Sequence, residues 1–136
     1  MIWTNCIFAL LILLATIVLT EADSINFGPK EKDPSLPMYH AMAVDSLNQY
    51  EEQNELSNHH VVLKVIKVTK QVVAGTLTTI DFYAGKTVCR SVLYELVSEN
   101  CPLDTLSPML LCQSQLWSRP WLNKREITIK CNNAST

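Results

Sequence analysis

The residues able to do chemistry beyond packing are five cysteines, Cys6, Cys89, Cys101, Cys112 and Cys131, and three histidines, His40, His59 and His60. A thiol catalyst needs a free, activated cysteine with a histidine beside it. A structural zinc site needs closely spaced ligand pairs, and no Cys-x-x-Cys occurs here. Cys6 lies in an apolar N-terminal stretch, and the other four fall between positions 89 and 131. Four cysteines in a small secreted domain read as two disulfides, with three pairings open. That pairing leaves no thiol for catalysis, so the sequence argues against an enzyme. His59 and His60 are neighbours on an expected strand. They point to opposite faces, cannot share one ion, and are read as strand-end histidines in solvent. His40 falls on or near the buried face of an expected helix and is read as packed. No metal or other cofactor is expected.

These readings depend on what precedes and positions the cysteines. Ile7 to Leu19 is apolar apart from Thr16. The run is short for a membrane span, no basic cluster follows it, and Thr20-Glu21-Ala22 ends on a small residue. Residues 1–22 are therefore expected to be a signal peptide, and 23–136 a single secreted domain. Removal of Glu21 leaves 12 acidic residues against 11 basic ones. A balance so close to neutral recruits neither nucleic acid nor an anionic membrane.

After a polar arm from Asp23 to Pro34, Ser35 can cap a helix. Leu36, His40, Ala43, Leu47, Tyr50 and Asn54 recur at helical spacing, with Tyr39 and Ser46 widening the stripe. The pattern predicts four to five turns, ending near Glu52 to Asn54. From Val61 the period becomes two. Val61, Leu63 and Val65 alternate, then the phase slips and Ile66 and Val68 continue the apolar face. A bulge near Val65-Ile66 reconciles the halves and leaves Lys64 and Lys67 in solvent. Ile80, Phe82 and Ala84 mark a second strand, so residues 72–75 form a hairpin tip. A long connection is expected from Gly85 to about Ser107. Leu110, Cys112 and Leu116 then share one strand face, and Ile127, Ile129 and Cys131 another. The fold class is α+β: four antiparallel strands, five if the arm pairs, wrapped around one long helix.

If Cys112 faces Cys131 across the last hairpin, the midpoint falls between Trp121 and Leu122. Pro120-Trp121 then forms the tip. In a simple meander the first and third turns lie at one end of the sheet. Val72-Val73 and Trp121 would project there together as an apolar edge, which suits a partner surface. Gly75 stands where a tight turn needs positive φ.

These residues resemble the cystatin family. Gln71-Val72-Val73-Ala74-Gly75 matches the family's central-loop motif and Pro120-Trp121 its second-loop motif. Phe27-Gly28 resembles the N-terminal glycine and the apolar residue before it. The four cysteines resemble, in order and spacing, the two disulfides of secreted (type 2) cystatins, implying Cys89–Cys101 and Cys112–Cys131. The resemblance runs from Phe27 to Cys131 and implies a reversible inhibitor of papain-like cysteine proteases such as cathepsins. The arm and both loops would enter the active-site cleft without offering a scissile bond in register. Many relatives carry two adjacent glycines in the arm, where this chain has Gly28 alone. Asn54 and Asn58 lie near the place where certain relatives carry a legumain-blocking asparagine, but their context reads as a polar loop. A monomer is expected, with a strand-exchanged dimer as a side state. The competing reading is a cystatin-fold protein that binds a different partner.

Overall fold

In a computed structural model of the chain, the described residues are Trp3, Ile7, 27–90 and 101–134. Most of the expected signal peptide, the start of the arm and the middle of the long connection lie outside them. No helix among the described residues is long and apolar enough to cross a membrane.

The elements are β1 (Lys30–Lys32), α1 (Pro37–Gln53), β2 (Asn58–Val73), β3 (Gly75–Arg90), β4 (Leu110–Arg119) and β5 (Lys124–Asn133). A 3-10 turn, Pro120–Leu122, joins β4 to β5. The strands form an antiparallel sheet in chain order, β1-β2-β3-β4-β5. The arm therefore contributes the fifth strand.

Helix α1 buries Tyr39, Ala43, Ser46, Leu47 and Glu51. Against them pack Val65 and Val68 of β2, Ile80, Phe82 and Ala84 of β3, and Cys112 and Leu116 of β4. Fully burying a side chain such as Phe82 contributes roughly 1.5–3 kcal/mol. The helical stripe is rotated from the expected one: His40 is exposed and Tyr39 takes the core position. Ser35 is not the cap either. Leu36 occupies the N-cap without a side-chain bond, and Pro37 opens the helix. Proline has no N–H to satisfy there. Ser35 instead donates its backbone N–H and its hydroxyl to Asp33 Oδ1, at 2.9 and 2.7 Å.

The expected bulge is present, with Ile66 as the extra residue between Val65↔Phe82 and Lys67↔Asp81. A second sits at Leu63, between Val62↔Ala84 and Lys64↔Tyr83. Two slips keep Val65 and Val68 inward and turn Leu63 and Ile66 outward, contrary to the simple alternation. Lys64 and Lys67 are exposed as expected. Strand β3 also runs five residues past Gly85, to Arg90. The start of β2 supplies the reason. Asn58 Nδ2 donates to the Thr87 carbonyl at 3.0 Å, and Thr87 Oγ1 donates to the His59 carbonyl at 2.7 Å. Asn58 is thus a sheet residue.

His59 and His60 are not in solvent. Both Nδ1 atoms lie 3.3 Å from Oε1 of Glu51, whose side chain is 3% exposed. The His60 backbone N–H donates to the same oxygen. The irregular pairing between Asn58 and His60 breaks strict alternation and brings both rings to one carboxylate. This contact fastens the end of α1 to the start of β2. Burial pushes the Glu51 carboxyl up, but the hydrogen bonds from the His60 ring and backbone, with His59 nearby, bring it below its ordinary value. A depressed carboxyl contributes stability above its unfolded value, and that contribution is lost as pH falls through the folded value. Glu51→Gln should therefore cost about 2 kcal/mol at neutral pH. The gap to the wild type should close below the ordinary glutamate value of about 4.3. Urea melts of both proteins across that range check this; a gap that stays constant in acid would contradict it.

Candidate functional site

The β2–β3 hairpin closes as tightly as a hairpin can. Val73 pairs with Gly75, leaving Ala74 alone at the bend. Gly75 has φ +96°, and a Cβ there would stand 2.1 Å from the Ser118 carbonyl oxygen. Only glycine meets both conditions. The bend leaves Val72 66% and Val73 40% exposed.

The β4–β5 hairpin ends beside it. Its register runs from Cys112↔Cys131 to Arg119↔Lys124. The 3-10 turn closes through Asn123, left-handed at φ 49°, whose N–H donates to the Pro120 carbonyl at 3.0 Å. Trp121 has no core to enter and is 64% exposed. The Thr76↔Ser118 pair sets the two tips side by side.

Strand β1 adds the arm to the same end. Its register, Lys30↔Lys70 to Lys32↔Val68, runs antiparallel to β2. The upstream end of the strand, Lys30, faces Lys70, so the residues before it leave the sheet toward the Val72-Val73 tip. Phe27 is 63% exposed. Gln71–Gly75 and Pro120-Trp121, separate in sequence, thus share one edge of the molecule, and the segment with Phe27-Gly28 enters β1 from that end.

Behind the tips stands a group that the sequence reading missed. Trp117, on the outer face of β4, donates its indole N–H to the Ala74 carbonyl at 2.8 Å. The Arg119 guanidinium carbon lies 3.7 Å from the centre of the Trp117 ring. Arg119 Nη2 in turn contacts Glu126 Oε1 of β5 at 2.8 Å. A signal was available: Trp117 sits on the polar face of β4, in phase with Gln113 and Gln115, where no core needs it.

The tip residues carry no ionisable side chain and present mainly apolar surface to solvent. All four cysteines of the domain are paired. Cys89–Cys101 has Cα atoms 5.9 Å apart and Cys112–Cys131 4.1 Å apart. Among the described residues no group of three histidine, cysteine or acidic side chains could hold a metal ion.

The sequence matches the family description "Cystatin domain" over residues 28–121, from the arm glycine to the tip tryptophan. The chain belongs to the cystatin family. This cystatin is 31% identical over 121 residues to cystatin cpi-1 of Caenorhabditis elegans, a match covering 85% of this chain and 87% of that one. Kininogen-1 of Mus musculus is 35% identical over 86 residues, covering 63% of this chain but only 13% of that longer protein. The crystal structure of Al-CPI superposes with a TM-score of 0.70 at 31% identity, over 79% of this chain and 99% of the other. The sheet on its helix is the cystatin fold. The two disulfides fit the type 2 group, and cystatins are in general inhibitors of cysteine proteases and not enzymes.

Proposed function

We propose that this cystatin is a secreted, reversible inhibitor of papain-like cysteine proteases such as cathepsins, acting by filling the active-site cleft. The observation that carries the reading is the shared edge. Phe27, Val72, Val73 and Trp121 stand exposed on three segments at one end of the sheet. Large apolar groups in water stabilise nothing in the free domain and suit an interface core. The arm of Phe27-Gly28 lies on one side of the catalytic cysteine and occupies substrate subsites. The tips Gln71–Gly75 and Pro120-Trp121 lie on the other. Tips braced by paired strands lose little freedom on binding, and the exposed aromatic anchors the contact. Secretion is supported by the two disulfides, which persist in oxidising compartments, and by the apolar run Ile7–Leu19. Residues 1–22 are then the leader, and 23–136 the domain released.

The test is inhibition of a panel of papain-like proteases by the chain from Asp23, with a serine protease and a metalloprotease as comparisons. Inhibition confined to the papain-like enzymes supports the reading, and none at all overturns it. A second measurement separates arm from domain. Removing residues through Gly28 leaves β1 whole, because that strand begins at Lys30. The truncated protein should melt like the full domain and inhibit at least about tenfold less well, equivalent to ~1.4 kcal/mol. A marked loss of thermal stability would make the arm a structural element.

A further inference from the structure

We propose that Trp117 is a positioning residue for the protease-binding edge: its indole fixes the Ala74 carbonyl and ties the first tip to the strand that carries the second. This rests on the inhibitory reading of the edge given above.

Ala74 is the one residue between the paired Val73 and Gly75. In water its carbonyl would exchange partners freely, and the peptide plane at the bend would follow. The indole N–H, 43 residues away in sequence, replaces water with one fixed donor at 2.8 Å. The indole is itself held. Arg119 covers its ring at 3.7 Å, and Glu126 holds Arg119 at 2.8 Å. Arg119 is also the residue that enters the Pro120–Leu122 turn. A continuous series of contacts, Glu126 to Arg119 to Trp117 to Ala74, therefore runs from β5 behind both tips. Gly75 lies against the same strand through Ser118. Because the Trp117–Ala74 bond is exposed to solvent, it adds little to folding. Its effect falls on binding, since a bend already ordered loses less freedom when it enters a cleft.

Trp117→Phe keeps an aromatic ring, though a smaller one, to lie under Arg119 and removes the donor. In the free variant, backbone NMR order parameters should fall at residues 72–75 and stay unchanged elsewhere in β2 and β3, with an unaltered melting temperature. With papain as the probe, the inhibition constant should rise about five- to tenfold, within the roughly two- to twelvefold that a single hydrogen bond is worth. That rise should largely vanish in a Val73→Ala background, where the tip contact is already lost, and persist in a Phe27→Ala background. Arg119→Met, which keeps the indole donor but frees its ring, should move the same readouts in the same direction by less. Unchanged order parameters in Trp117→Phe would overturn the proposal. So would a general loss of order with a lowered melting temperature, or additivity with Val73→Ala. If the unaltered protein fails to inhibit papain, the inhibitory reading falls, while the order parameters still decide whether Trp117 holds the bend.

Discussion

A Val73→Asp variant should fold normally and lose nearly all inhibition of papain-like proteases. Val73 sits at the last pair before the bend with its side chain 40% exposed, so a carboxylate there stays hydrated in the free protein. On binding it would be carried into an apolar contact with no partner. Stranding a charge in this way costs about 3–5 kcal/mol, and each 1.4 kcal/mol is about tenfold in affinity. Inhibition constants beside melting curves check it. A folded variant that inhibits as well as its parent would place the contact elsewhere.

Trp121→Ala is expected to weaken inhibition by about 2 kcal/mol or more, as truncation of aromatic anchors at interface centres does. Melting should barely change, because the side chain is 64% exposed and contributes to no core cluster. The two substitutions act through different tips that the Thr76↔Ser118 pair holds adjacent. A large fall in melting temperature for Trp121→Ala would mean the tryptophan is packed against the domain. Unchanged inhibition by both folded variants would mean that the edge serves another partner.

The parts of this fold that could be read in the sequence are those fixed by short-range periodicity. Ile80, Phe82 and Ala84 alternate without interruption and are all buried, as are Cys112 and Leu116 on the next strand. The tips were legible because turn chemistry is local: Gly75 at the bend, and Pro120-Trp121 midway between two cysteines that prove to be paired. What escaped depends on contacts distant in sequence. A second bulge at Leu63 can be recognised only once Val62 and Lys64 have partners on β3. Glu51 looks like a solvated helix residue until β2 brings His59 and His60 to it. The extent of β3 to Arg90 is set by where β2 begins, and Ser35 gave way as a cap because Asp33 took its hydrogen bonds first. Trp117 belongs to the same class, since its acceptor lies on another hairpin.

The most direct test of the cleft-filling account is the binding of the chain from Asp23 to two inactivated forms of one papain-like protease, measured calorimetrically. In one form the catalytic cysteine is only S-methylated and the cleft is open. In the other an irreversible peptidyl inhibitor fills the substrate subsites. The account predicts tight binding to the first, since no covalent bond is required, and none to the second. Equal binding to both would contradict it, because the protease would then be gripped outside its cleft.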